Sequence, residues 1–296
     1  MVGNLILKIR RSWRAWLFMS RLLLRKRLLL SGLLKREKAI GTIISLTTIP
    51  TRIKSVEYAI LSILNGTVIA ENIYLYVSEE TFRLVQESNS ELLKLAAIGY
   101  LQIRVVADVR SYTKLIYAID EHPNKSIVIC DDDVLYPKYW LAELLVAKEK
   151  YGNCKVIVAH RAHEVCYESN GQLSPYSRWK LEVTSIADMP SKLLFPTGTG
   201  GVLYPPGSLP AIAKNISLFK KYAPTADDVW FWFSALSNGS IFALTGRKFS
   251  KSAFLEIPNS QKVNLFTINV HQKANDTQIK NTADFFLSID ARTMKA

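Results

Sequence analysis

At 296 residues the chain is long enough for one large α/β domain with an extension, and its 49% hydrophobic content supplies a sizeable core. The formal charge of +13 is concentrated at one end: residues 1–40 hold eleven Lys and Arg against Glu37, whereas the other 256 carry 27 bases and 24 acids. A nearly balanced body argues against nucleic acid as a partner, and the cysteines Cys130, Cys154 and Cys166 have no metal-ligand spacing; odd in number, they fit reduced thiols in a cytosolic setting rather than a disulfide framework.

The basic end reads first. Met1–Leu34 interleaves its Lys and Arg with leucines and the tryptophans Trp13 and Trp16. No apolar run approaches the roughly 18–20 residues of a spanning helix. Arg21 and Arg25 interrupt any signal-peptide core, and no small-residue cleavage site follows. The segment predicts one or two basic amphipathic helices that lie on an anionic membrane surface through residues 1–38. The alternative is a helix packed on the body or on a second subunit, with its Arg stems snorkelling. RNA binding by the arm is a weaker reading.

The body alternates strand and helix, the signature of a parallel sheet wrapped by helices. Gly41–Thr48 reads as the first strand, ending in a loop with Pro50 and Arg52, and a helix from near Thr51 closes at Asn65-Gly66. Asn72–Ser78 reads as a strand, Glu79–Ala97 as one helix, Leu101–Ala107 as a strand and Lys114–Glu121 as a helix. The next strand, beginning at Ser126, runs through Ile127, Val128, Ile129 and Cys130 straight into Asp131, Asp132 and Asp133. Carboxylates at the C-terminal end of a central strand stand where open α/β sheets bind ligands. Three in a row repel one another, and oxygen ligands at this density suit Mg²⁺ or Mn²⁺, particularly where a diphosphate adds more oxygens. The plainer reading is a solvated acidic turn that caps the following helix, Lys138–Tyr151.

Lys155–His160 reads as a fifth strand and Arg161–Ser191 as a loop-rich insertion. Leu193–Pro206 holds Gly198, Gly200 and Gly201 between apolar flanks, either a backbone that approaches a ligand or a plain tight turn before a strand at Val202–Tyr204. Ala226–Asn238 reads as an aromatic helix opened by Asp227 and Asp228. One of the two is expected to cap the helix, which leaves the other carboxylate beside Trp230 and Trp232, a reasonable base for a sugar hydroxyl. Ser240–Thr245 reads as a last strand, followed by a polar tail with His271.

In this order SLTTIPTRI, CDDDVLYP, TGTGGVLYPP and ADDVW resemble the nucleotide-sugar-dependent glycosyltransferases of the GT-A fold, over roughly residues 41–246. The combination is most similar to bacterial enzymes that build surface polysaccharides such as lipopolysaccharide or capsule. The resemblance implies a mostly parallel, Rossmann-like central sheet flanked by helices, behind the basic extension of residues 1–40. It implies a nucleotide-binding part over 41–135, an acceptor part over 136–250 and a tail over 251–296. Thr47, Thr48 and Arg52 would cradle the nucleotide, and Asp131, Asp132 and Asp133 match the DxD motif that holds Mn²⁺ or Mg²⁺ on the donor diphosphate. Asp131 and Asp133 would be the metal ligands, with His271 as a possible late one. Lys114 would meet the diphosphate or sugar, and Gly200 and Gly201 would line the donor sugar. Asp228 and Asp227 would be the catalytic pair: Asp228 would act as acceptor base if the enzyme inverts, Asp227 would help hold a lipid-linked or glycan acceptor or cap the helix, and Trp230 would bind the acceptor. The chain departs from many relatives in carrying Asp-Asp rather than Glu-Asp at 227–228. The place of work implied is the cytoplasmic face of a bacterial inner membrane. The rival readings are a non-catalytic membrane-associated scaffold of the same fold and a metal-dependent nucleotidyl- or phosphotransferase.

Overall fold

The computed structural model describes residues 2–31, 36–88, 90–152, 155–183, 189–246, 253–260 and 274–293. In chain order they form α1 (Val2–Leu30), β1 (Glu37–Thr47), α2 (Ile53–Leu64), β2 (Val68–Val77), α3 (Glu79–Glu87), α4 (Glu91–Ala97), β3 (Gln102–Val105), α5 (Thr113–Glu121), β4 (Ser126–Ile129), β5 (Val134–Leu135) and α6 (Trp140–Glu149). The second half adds β6 (Val156–Ala159), β7 (Ala162–Glu164), β8 (Lys180–Val183), β9 (Leu194–Pro196), β10 (Val202–Tyr204), α7 (Ile216–Tyr222), α8 (Asp227–Ser237), β11 (Ile241–Leu244), β12 (Leu255–Glu256) and α9 (Ala274–Thr293).

The architecture is a Rossmann-like α/β fold with a seven-stranded sheet in the order β11-β6-β10-β4-β1-β2-β3. All neighbouring pairs are parallel except the two that involve β10. The alternation of side chains explains the two layers. Ile43, Tyr74, Tyr76, Ile127 and Ile129 point to one face, under α5, α7, α8 and α9. Ile44, Ile73, Leu75, Val77 and Val128 point to the other, under α2, α4 and α6. Strands buried on both faces read as continuous apolar runs, as β4 does. The same sheet takes strands from both sides of residue 135.

Two features of the topology place the site. After β3 the chain crosses back over β1 to form β4, so the strand order reverses between β1 and β4; the crevice beyond their C-terminal ends is where ligands bind in such sheets. The antiparallel strand β10 pairs Val202 with Ile129, so its N-terminal loop, residues 197–201, arrives at that same edge.

Several sequence expectations change. The single helix expected over Glu79–Ala97 is two, because Ser78 and Ser90 each accept a hydrogen bond from a following backbone N–H and start separate helices. The segment after Arg161 is less loop-like than expected: β7 pairs with both β8 and β9 in a small antiparallel sheet. The polar tail contains the 20-residue helix α9, whose Gln278 Oε1 accepts from the backbone N–H groups of Thr225 (2.9 Å) and Ala226 (3.1 Å) at the entry to α8. The basic arm is one helix, and it docks on the body: Ala15, Met19, Leu22 and Leu29 pack on Ala59, Leu61, Leu135, Leu255 and Ile257.

The glycine turn before β10 is held by one aromatic ring. Trp140 donates its indole N–H to Gly200 O (2.6 Å), and a Cβ on Gly201, at φ +94°, would lie 2.7 Å from the Trp140 ring. Gly171, also at positive φ (+81°), has open space around it. Gly201→Ala is therefore expected to cost about 3 kcal/mol in urea denaturation, where Gly171→Ala costs about 1 kcal/mol, because the first adds a collision with Trp140 to the backbone strain.

Candidate functional site

The three aspartates leave β4 at the reversal edge and divide at once into two environments. Asp132 is enclosed: Thr48, at the end of β1, donates its hydroxyl to Oδ2 (2.6 Å), and Arg52 Nη1 reaches Oδ1 (2.9 Å). Asp133 pairs with the same guanidinium nitrogen at 2.9 Å through Oδ2. Arg52 also donates Nε–H to Ser260 O (3.0 Å), so one planar cation ties the loop after β1, the loop after β4 and the segment after β12. Burial works against the Arg52 charge, yet Asp133 and Asp132 outweigh it and hold its pKa above the ordinary value. Burial, with Asp131 and Asp132 alongside, pushes the Asp133 carboxyl up to about 7 against the opposing pull of Arg52.

Asp131 faces the other way. Its backbone N–H donates to Tyr136 Oη (2.8 Å), which turns the carboxylate into the space above β10, where Lys114 Nζ meets Oδ1 at 3.2 Å. Lys114 lies in the first turn of α5 and is buried; Ser45 of β1 donates its hydroxyl to the Lys114 carbonyl and fixes that turn. The same ammonium faces Asp227 Oδ2 at 3.5 Å, an oxygen with no hydrogen bond of its own. Burial disfavours the ammonium, but Asp131, Asp227 and Asp228 together raise its pKa well above that of a free lysine.

Asp228 completes the group. Neither aspartate caps α8, contrary to expectation: the capping position is Ala226, and Gln278 supplies the acceptor there. Asp228 instead accepts from the backbone N–H of Gly198, 3.2 Å from each carboxylate oxygen. Burial and the neighbouring Asp227 push its carboxyl up to about 7, with Lys114 and the Gly198 N–H pulling the other way. Gly198 is thus the centre of the site. A Cβ placed on it would sit 2.9 Å from Lys114 Nζ, 3.6 Å from Asp228 Oδ1 and 3.7 Å from Asp131 Oδ1. Tyr176 approaches from the helical turn Tyr176–Arg178 between β7 and β8; burial and the Asp228 charge raise its phenol to about 12, with Arg161 opposing.

The structure brings together Thr48, Arg52, Lys114, Asp131, Asp132, Asp133, Asp227 and Asp228. It sets others apart. Thr47 donates its hydroxyl to Tyr76 O (2.8 Å) and ties β1 to β2. Gly200 and Gly201 are buried against Trp140 instead of lining a donor pocket, and the glycine at the site is Gly198. Trp230 cannot hold an acceptor: it is fully buried, donates its indole N–H to Ala213 O (2.9 Å) and packs on Phe219, Phe285 and Phe286. Trp232 is likewise turned inward, to Leu194 O. His271 lies outside the described residues. The sequence reading missed Tyr136, which stands five residues beyond Asp131, and Ser260, Gln278 and Tyr176, which no local pattern marks.

The donor set bears on a metal. Among the described residues no three His, Cys, Asp or Glu side chains form a ready-made cage. Five aspartates meet in the cluster, however, and among the described residues their ion pairs come from Arg52 and Lys114. Negative charge is left in excess, and burial, followed by the neighbouring carboxylates, shifts Asp133 and Asp228 upward. Asp132 is held through both oxygens by Thr48 and Arg52, and Asp131, which meets Lys114 through Oδ1, is the carboxylate turned towards the rest of the cluster. A divalent cation held by one or two carboxylates and completed by a ligand's phosphate oxygens fits this arrangement.

No family model and no curated protein matches the chain. It superposes on the inositol-1-phosphate CTP transferase from T. maritima with 14% identity over 82% of this chain and 97% of that one, at a TM-score of 0.41. It also superposes on S. aureus TarS 1-349 (13% identity, 70% of this chain, 58% of that one, TM-score 0.41) and on 4-diphosphocytidyl-2C-methyl-D-erythritol synthase (13%, 76% and 96%, TM-score 0.39). Likeness at this level assigns neither a reaction nor individual residues to this chain.

Replacement of Arg52 tests the frame of the site. Arg52→Met leaves two buried carboxylates without their cation and is expected to cost about 3 kcal/mol in urea denaturation. Arg52→Lys, which keeps the charge but cannot span Asp132, Asp133 and Ser260 O together, is expected to recover about half of that loss.

Proposed function

We propose that the chain is a glycosyltransferase that moves a sugar from a nucleotide-sugar donor to a hydroxyl of a lipid-linked or glycan acceptor, with Mn²⁺ or Mg²⁺ on the donor diphosphate. The observation that carries this reading is the meeting of Asp131, Lys114 and Asp228 around Gly198 at the reversal edge of the sheet. Asp131 lies on the side of the β4 aspartates, Asp228 on the side of α8, and one bound sugar can touch both.

In this reading Asp131 and Asp133 hold the cation, which when bound would offset the charge that develops on the departing nucleoside diphosphate. Lys114, already charged and buried, positions Asp131 and Asp227 and presents a cation towards the same leaving group. Asp228 acts as the base. It removes the proton of the acceptor hydroxyl as the acceptor oxygen forms its bond to the anomeric carbon and the bond from that carbon to the diphosphate oxygen breaks. A carboxyl with a pKa of about 7 is a stronger base than an ordinary aspartate and is still largely ionised at slightly alkaline pH. Gly198 N–H fixes its orientation. Arg52, Thr48 and Asp132 form the wall behind the diphosphate, and Tyr176 stands on the acceptor side.

The donor is tested by a thermal-shift panel of nucleotide sugars and nucleoside triphosphates with and without Mn²⁺. A Mn²⁺-dependent shift with one nucleotide sugar is expected; a shift confined to triphosphates would replace sugar transfer with nucleotidyl transfer, and no shift with any of them would favour the scaffold. The base is tested by pH and by substitution. Asp228 must be ionised to accept a proton, so kcat/KM is expected to rise with pH and level off above about 7. Because the folded pKa lies above the usual 3.8, Asp228 favours folding at low pH and withdraws that support as pH rises from about 4 through about 7. Asp228→Asn is therefore expected to lower kcat by at least about 10²-fold while raising stability at pH 8 by about 1 kcal/mol.

A further inference from the structure

Helix α1 has two apolar faces, and the body covers one of them. At 3.6 residues per turn Ala15, Met19, Leu22 and Leu29 form one stripe, and all four are buried against α2, β5 and the segment around β12. Ile6, Trp13, Leu17, Leu24 and Leu28 lie roughly half a turn away and are exposed, Trp13 at 64% and Leu24 at 86%. Ile9, Trp16 and Leu23 widen this outer sector on one side. Arg10, Arg14, Arg21 and Arg25 border it on the other, between the outer face and the docked one. The helix has eight Lys and Arg and no acid. Beside it Phe18, Arg21, Leu22, Leu24, Arg25 and Asn65 line an open pocket of about 290 Å³ in which two arginines stand among apolar residues.

We infer that this outer face seats the chain on an anionic phospholipid surface, with α1 lying in the plane of the interface. The charge names the occupant. A second copy would bring eight more positive charges against these eight and be repelled. A nucleic acid would satisfy the arginines but leave Ile6, Leu17, Leu24 and Leu28 with no apolar partner. A bilayer with acidic headgroups meets both needs: acyl chains take the Leu, Ile and Trp side chains, and headgroup phosphates take the arginine border, with the Arg21–Arg25 cavity as a place for one of them. No described helix is long and apolar enough to cross the membrane, so α1 lies on it.

The docking also sets the height of the candidate site. The seat of α1 includes Leu135, two residues beyond Asp133, and Ile257, whose N–H donates to Asp133 O (2.8 Å). A helix fixed in the interface thereby holds the aspartate cluster at a set distance from the lipid. This consequence suits a lipid-linked acceptor and rests on the proposed transfer reaction; the docking itself does not.

The test uses the full chain in co-sedimentation with phosphatidylcholine vesicles that contain or lack phosphatidylglycerol. Binding is expected with phosphatidylglycerol, is expected to fall with added salt, and is expected to drop at least about tenfold in Trp13→Glu/Leu17→Glu/Leu24→Glu. Far-UV circular dichroism and melting temperature should be unchanged in that variant, because the three side chains are exposed and none belongs to the stripe docked on the body. Lipids brominated in the acyl chain should quench part of the tryptophan emission, and that part should vanish in Trp13→Phe/Trp16→Phe. Absence of binding to anionic vesicles, or equal binding by the folded triple variant, overturns the proposal. So does a dimer in size-exclusion chromatography that the triple variant dissolves while neither protein binds lipid. Nucleotide-sugar binding is measured without vesicles, so failure of one reading leaves the other standing or falling on its own result.

Discussion

The bridge from Arg52 to Asp132 and Asp133 is the constraint around which this fold is arranged. Carboxylates at the end of a buried strand cannot stay ionised without a cation, because the low-dielectric interior removes the solvation that water would supply. Arg52 supplies it from the loop after β1, and it can do so because the reversal of strand order sets β1 and β4 side by side with their ends together. Thr48 takes the remaining oxygen of Asp132, and Ser260 O takes the Nε–H of the guanidinium. Segments far apart in the chain are thus held to one point by a planar group with fixed donor directions, and the orientation of Asp131 follows from what Asp132 and Asp133 already do.

A second cation plays the corresponding part for the later half of the chain. Lys114 faces Asp131 on one side and Asp227 on the other, so the helix α8 and the strand β4 are coupled through one buried ammonium. The antiparallel strand β10 makes this possible, since a parallel strand in its place would carry the glycine loop to the opposite edge. Gly198 can then give its N–H to Asp228, and the absence of a side chain on it leaves room for Lys114. Helix α9 secures the entry to α8 through Gln278 and covers Trp230 with Phe285 and Phe286, so it supports the site from behind.

The two balances explain why the cluster keeps an unsatisfied charge. Arg52 and Lys114 hold the frame together, yet five carboxylates converge, and burial together with the neighbouring aspartates raises the Asp133 and Asp228 carboxyls to about 7. A fold that only needed stability would replace one of them with a neutral residue. Surplus buried negative charge at the reversal edge of the sheet marks the cluster as a candidate functional site. Helix α1 shows the complementary pattern, positive charge and outward apolar side chains that the body does not use.

Residues 36–160 could largely be read from the sequence, because period and local chemistry decide them: apolar runs at strand spacing, helices between them, and a strand that ends in Asp131–Asp133. Even there the break at Ser90 escaped a reading by period alone, since a serine cap interrupts a helix without altering its apolar spacing. The acidic pair at 227–228 was visible, but its use was not. A sequence shows that two aspartates start a helix; it does not show that Gln278, fifty residues on, takes the N–H groups of Thr225 and Ala226 just before it, or that Asp228 turns to Gly198. Trp230 looked available because an aromatic beside an acid suggests a sugar platform, and only packing against α9 turned it inward. Likewise the amphipathic character of α1 was legible, whereas its two separate apolar faces appeared only once the body was seen to occupy one of them. Local pattern sets which residues are apolar, charged or turn-forming. Which of them meet depends on strand order and on competition for each hydrogen bond and each cation, and those are settled by contacts between segments that the linear order keeps apart.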